Sequence, residues 1–288
     1  MKKIPIGTLI KGDGDPAVAI RALASSGFEC FSLFFWEGLG GADPLKFAEE
    51  VGKATEGTGT FISALSVYGN PLRDDERGVA TRECLKVLLD AAPLFGCGLV
   101  SCFAGRVPGM SVKDSLPAWK RCFAPLAERA EASGLRIAFE NCRLGDTWKT
   151  GSWNIAINPD AWELMFDAIS SPAIGLEWEP CHQVEALADP YAQLEVWLPK
   201  ILHLHGKDSR IDRPLLAARG LYGSTRWHSS HFPGNGDTDW RRILDFLGRR
   251  GYTGTIDIEG WNDAEWSGER ELEGQAKALA YLKSCRGT

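Results

Sequence analysis

Eight short β-rich runs, at residues 4–9, 29–35, 61–68, 99–103, 136–140, 174–179, 201–205 and 255–259, alternate with longer segments through the whole chain. The longer segments carry helix start signals at Asp15-Pro16, Asp43-Pro44, Asn158-Pro159 and Asp189-Pro190. In each pair a side chain able to accept a first-turn amide precedes a proline whose ring already holds the helical φ. Gly27, Gly96, Gly134 and Gly251 stand a few residues before the next run, where a helix closes on a left-handed residue. Alternating strands and helices demand parallel pairing through crossovers. The fold class predicted is α/β, a single (β/α)8 barrel domain over residues 1–288. A doubly wound sheet would place a glycine-rich phosphate loop after its first strand, whereas Lys11-Gly-Asp-Gly-Asp15 lacks that spacing.

Composition narrows the partners. With 288 residues and 44% hydrophobic content the chain can bury a full core. Its net charge of −6 and pI near 5.5 lack the basic excess that a phosphate backbone requires, so nucleic acid is not expected. Eight cysteines are scattered without CxxC pairs and no charged-then-apolar leader precedes Ile4, which predicts reduced thiols and a cytoplasmic location. No apolar run approaches the ~20 residues needed to cross a bilayer, so no membrane partner is expected. A homo-oligomer is left open. The connection after the seventh run is longer than barrels usually need, and residues 206–240 are expected to form a functional loop over the barrel mouth.

All five histidines lie between residues 182 and 231, and carboxylates end the runs around them. Side chains alternate across a strand, so parity sorts the faces. Leu202 and Leu204 oppose His203 and His205; Leu176 and Trp178 oppose Glu177 and Glu179; Ile137 and Phe139 oppose Ala138 and Glu140; Ile256 and Ile258 oppose Asp257 and Glu259. The apolar face can meet helices and the polar face the barrel interior. Glu140, Glu179, His205 and Glu259 then stand nearest the carboxyl ends, where barrel active sites are built. Three carboxylates converging without a positive charge would repel, and a divalent cation relieves the repulsion. Three oxygen donors with one imidazole suit Mn²⁺, Mg²⁺ or Co²⁺ ahead of Zn²⁺. One layer deeper, His203 is expected to be a hydrogen-bonded core group, with Glu177 as its partner. Trp36 and Trp261 stand just beyond the second and eighth runs, where their faces could stack on the C–H surface of a sugar. Lys207, Arg210 and Arg213 are the candidates for holding a phosphate.

The stretches Glu140-Asn141, Gly175-Leu-Glu-Trp-Glu-Pro-Cys-His182, His203-Leu-His-Gly-Lys-Asp208, Pro233-Gly-Asn-Gly-Asp-Thr-Asp-Trp240 and Ile258-Glu259 together resemble the xylose isomerase-like sugar phosphate isomerase/epimerase superfamily of TIM barrels. The resemblance implies that Glu140, Glu179, His205 and Glu259 bind one divalent metal and that His182 contacts substrate oxygens. The family's usual sixth-strand pattern is Asp-Pro-Ser-His. This chain departs from it, with Glu179 at the Asp position and Cys181 at the Ser position.

These readings converge on a metal-dependent isomerase or epimerase of a small sugar, keto-sugar or polyol, working through an enediolate. Glu140 and Glu259 are the expected acid/base pair, and His182, Lys207 and Trp36 the expected substrate contacts. A keto-inositol-type dehydratase would use the same enolate, and a catalytically silent sugar-binding protein would use the same pocket. A phosphodiesterase resembling endonuclease IV would need more histidines and a basic surface.

Overall fold

A computed structural model describes residues 3–286. Ten strands follow in chain order: β1 (Ile6–Lys11), β2 (Cys30–Trp36), β3 (Phe61–Tyr68), β4 (Leu99–Cys102), β5 (Arg136–Glu140), β6 (Ile174–Trp178), β7 (Ile201–Gly206), β8 (Asp208–Ile211), β9 (His228–His231) and β10 (Ile256–Ile258). The helices are α1 (Pro16–Leu23), α2 (Pro44–Thr55), α3 (Glu76–Ala91), α4 (Val112–Ala132), α5 (Pro159–Ala168), α6 (Pro180–Glu185), α7 (Pro190–Trp197), α8 (Arg213–Arg219), α9 (Trp240–Arg249) and α10 (Glu271–Arg286). Eight parallel strands close into a barrel in the order β1-β10-β7-β6-β5-β4-β3-β2, as the alternation predicts. Among the described residues no helix is long and apolar enough to cross a membrane. All eight cysteines are free thiols.

The punctuation signals act where they stand. Prolines 16, 44, 159 and 190 each open a helix, and Asp15, Asn158 and Asp189 accept first-turn amides from Val18, Ala161 and Tyr191. Asp43 makes no such bond; its carboxylate pairs with Lys46 at 2.8 Å. Gly27, Gly96, Gly134 and Gly251 all have positive φ.

The chain divides into two compact units. The larger comprises Leu9–Trp178 and Pro199–His203. In it Phe139 of β5 meets Phe123 and Trp119 of α4 at centroid distances of 4.9 and 5.6 Å. Edge-to-face pairs of this kind add about 0.5–1.5 kcal/mol each beyond area burial, and they fix α4 on the sheet.

The smaller unit contains residues up to Thr8, Glu179–Leu198 and Leu204 onward. Its α9 buries Trp240, Ile243, Leu244 and Leu247 on one helical face, the spacing of an amphipathic helix. The 206–240 connection is more ordered than a loop: β8 and β9 pair antiparallel, Asp208 opposite His231 and Ile211 opposite His228, with α8 between them. Asp208 organises the rest. Its Oδ1 accepts the amides of Ser209 and Thr238 and its Oδ2 those of Gly234 and Gly236, at 2.9–3.2 Å.

Candidate active site

Two of the strands that lead into the site end one residue short of the runs that predict them. β6 stops at Trp178 and β10 at Ile258, so Glu179 and Glu259 stand just past their strands. Pro180 accounts for the first: it has no N–H to give the ladder and opens α6, while its ring disfavours the helical region for the residue before it. Glu179 accordingly keeps an extended backbone (φ −129°) before α6 begins. Its side chain is turned to the strand ends and is fully buried.

The smaller unit brings together Glu179, His205 and Glu259. His205 Nδ1 lies 3.0 Å from Glu259 Oε2 and 3.7 Å from Glu179 Oε2. The three residues each offer a ligand atom within 4.8 Å of the others. Lys207 enters the same cluster, its Nζ 2.5 Å from Glu259 Oε1 and 3.7 Å from Glu179 Oε1. That revises one premise of the sequence argument, since a built-in positive charge faces these carboxylates. Lys207 shares the parity of His203 and His205, but it lies beyond the run 201–205 read as a strand and so outside the reach of strand parity.

His182 lies one helical turn inside α6, its Nε2 3.3 Å from Glu179 Oε2 and its Nδ1 3.5 Å from Glu185 Oε2. Glu185 in turn reaches His228 Nδ1 of β9 at 3.1 Å. Cys181 donates its thiol to Glu179 Oε1 at 2.6 Å. Burial works against charge on Glu179, yet His182 and Lys207 outweigh it and hold the carboxyl well below the usual carboxylate range. Burial likewise opposes charge on Glu185, and hydrogen bonds from His182 and His228 hold it below that range. Burial pushes the Cys181 thiol well above its ordinary value, with the Glu179 charge adding to it. A neutral thiol beside an anionic carboxylate follows. Neither Glu185 nor the Cys181 contact is visible to strand parity, because both belong to the helix that follows.

In the larger unit Glu140 ends β5, buried, in register with Glu177 of β6. Asn154 Nδ2 donates to the Glu140 carbonyl at 2.8 Å. The deeper pair behaves as predicted: His203 Nδ1 meets Glu177 Oε1 at 2.6 Å, and Tyr68 donates its hydroxyl to Glu177 Oε2 at 2.9 Å. Trp36 is 46% exposed and lies beside Trp153 and Phe103 at centroid distances of 6.1 and 6.5 Å. It presents an aromatic face to solvent. Trp261 is half-buried. The basic residues considered for phosphate have protein partners: Arg210 donates to the Asn235 carbonyl, and Arg213 lies 3.7 Å from Asp237.

This geometry accords with what the chain resembles. Residues 20–285 match the family described as xylose isomerase-like TIM barrel. An uncharacterized protein of Bacillus subtilis (strain 168), YfiH, is 26% identical over 267 residues, 80% of either chain. A 3-dehydroshikimate dehydratase of Pseudomonas aeruginosa (strain PAO1) is 31% identical over 162 residues, 55% of this chain, which spans only 22% of the dehydratase's length. Among solved structures, 3-keto-D-glucoside 4-epimerase (YcjR) of E. coli superposes with a TM-score of 0.73 at 16% identity, covering 98% of this chain and all of that one. The match along nearly the whole chain and the closed parallel barrel establish that the protein belongs to the xylose isomerase-like TIM barrel family.

Proposed function

We propose that the protein is a divalent-metal-dependent isomerase or epimerase of a small sugar, keto-sugar or polyol derivative, working by proton transfer beside a carbonyl. The observation that carries this reading is His205 between Glu179 and Glu259 in a buried cluster. Two carboxylates and an imidazole with ligand atoms this close fit a divalent cation by donor chemistry. Glu140, at the carboxyl end of β5, is the fourth ligand in this proposal. Mn²⁺, Mg²⁺ and Co²⁺ suit the oxygen-rich set, with Zn²⁺ next. Bound there, such a cation supplies Lewis-acid polarisation of a carbonyl.

The remaining work falls to the chain's own groups. Glu259 removes the proton from the carbon next to the carbonyl, giving an enediolate, and Glu140 returns one from the other side of the substrate plane; positioned acid–base groups of this kind contribute about 10²–10⁴-fold. Lys207 holds the Glu259 carboxylate in place until the proton arrives. Protonation of Glu259 then weakens its hold on the ammonium, which is released to hydrogen-bond a substrate oxygen. His182 donates to the developing oxyanion, and Trp36 offers a face for C–H stacking. The E. coli epimerase of like fold supports this reading.

The Pseudomonas dehydratase supports a second reading, in which the same proton removal is followed by loss of hydroxide from a keto-cyclitol-type substrate. Product analysis separates the two: an isomer carrying solvent deuterium after turnover in D₂O identifies the epimerase, and loss of water the dehydratase. Glu259→Gln and Glu140→Gln should each retain metal at high metal concentration and lose turnover by several orders of magnitude. Protein offered Mn²⁺, Co²⁺, Mg²⁺ and Zn²⁺ in turn should retain about one equivalent. Retention of none, with His205→Ala unchanged in thermal stability, would overturn the proposal.

A further inference from the structure

The corner between β6 and α6 adds two donors, Cys181 and His182, that the hard-cation site does not use to one, Glu179, that it does. Glu179 is extended, Pro180 sets the first helical φ, and the turn brings Cys181 and His182 back toward the Glu179 carboxylate. Cys181 Sγ lies 2.6 Å from Glu179 Oε1 and His182 Nε2 3.3 Å from Glu179 Oε2. The three side chains offer ligand atoms within 4.8 Å of one another. Cys181 and Glu179 are fully buried, and the His182 side chain is 11% exposed.

We propose that Cys181, with Glu179 and His182, gives this protein a binding site for a thiophilic divalent cation such as zinc or cadmium. The inference rests on Glu179 being a cation ligand, as the proposed function has it. One thiolate, one imidazole and one carboxylate are a borderline-soft set, in contrast to the oxygen-rich set at the strand ends. Ligand atoms around zinc stand about 3.5 Å apart, so binding opens the sulfur–oxygen pair by a side-chain rotation. As the sulfur–cation bond forms, the thiol proton leaves to water and nothing is oxidised. Three protein ligands leave one position for tetrahedral closure, which a water or a substrate oxygen supplies.

The test is cadmium titration of metal-free wild type, Cys181→Ser and Cys122→Ser, with Cys122 chosen because it is the one thiol that is not buried. Wild type and Cys122→Ser should develop a near-ultraviolet sulfur-to-cadmium charge-transfer band that saturates at one equivalent, and Cys181→Ser should not. Competition titrations should show zinc and cadmium affinity falling about tenfold or more in Cys181→Ser while manganese affinity changes little. A band that survives in Cys181→Ser, or that vanishes in Cys122→Ser, overturns the inference. So does an equal loss for all three cations, which would mean that the thiol only orients Glu179. One equivalent of cadmium bound to wild type without a band overturns it even if the variant fails to fold, and leaves the proposed function standing. Wild type that binds no cation at all removes both.

Discussion

Lys207→Met tests whether a built-in ammonium neutralises the carboxylates of the site. The side chain is 6% exposed and its Nζ lies 2.5 Å from Glu259 and 3.7 Å from Glu179. At an effective dielectric near 20 a unit pair at about 4 Å interacts by about 4 kcal/mol. Removing one partner of a buried pair costs about 3–5 kcal/mol, since the other charge is left uncompensated. Methionine fills much of the volume without the charge, so metal-free Lys207→Met should lose about 3–5 kcal/mol. For a chain of this size each kcal/mol lowers Tm by about 2–4 °C, which predicts a drop of about 6–20 °C. A divalent cation at a hundred times its Kd adds about 2.7 kcal/mol to any protein that binds it only when folded. Because the cation also replaces the missing charge, its effect on Tm should be larger in the variant than in wild type. Thermal melts of both proteins, chelated and then supplied with Mn²⁺, give all four values. A variant that melts with wild type when metal-free, or that gains no more than wild type from Mn²⁺, refutes the argument.

Tyr68→Phe removes the hydroxyl donated to buried Glu177 and should cost about 1.5–3 kcal/mol, the worth of a hydrogen bond to a charged group, measured by urea unfolding; no measurable cost would mean that Glu177 is satisfied without it. Glu185 is held below the ordinary carboxylate range when folded, so the unfolded chain binds the proton first as pH falls. The stability Glu185 contributes is present above its unfolded value of about 4.3 and is lost on going below it. Glu185→Gln should therefore flatten the fall in stability between neutral and acid pH, and parallel slopes for variant and wild type would contradict this. Gly236→Ala would set a Cβ 2.3 Å from Asp208 Oδ1; loss of stability with intact barrel circular dichroism is expected, and an unchanged Tm would show that the loop yields freely.

Local signals made the barrel legible. Each Asx-Pro pair and each closing glycine acts through its own backbone torsion or first-turn amides, so no distant partner is needed to read it. Glu179, His205 and Glu259 were legible for a related reason, since strand periodicity carries a side chain's direction from one residue to the next. Legibility fails where direction is set by contacts distant in sequence. Asp208-Ser-Arg-Ile211 and His228-Ser-Ser-His231 are short and polar, with little in them to suggest a hairpin. What orders them is a carboxylate whose partners lie some 25 to 30 residues on. Lys207 lies outside the run read as the seventh strand and Cys181 belongs to α6, and the folded structure reveals that both turn toward Glu179.

The Asp208 carboxylate also determines how its surroundings open. One side chain ties amides at 209, 234, 236 and 238, while Ser209 O accepts from Asp237 N and Asp237 Oδ2 accepts from Ile211 N. These bonds share so few acceptors that none can be released while the others hold their geometry. Amide hydrogen exchange should therefore find the hairpin and residues 233–238 opening together as one cooperative unit. The stretch carrying α8 meets this web through the exposed Arg213–Asp237 pair at 3.7 Å, a contact weak enough to leave α8 free to exchange on its own, and it is where length can vary without disturbing Asp208.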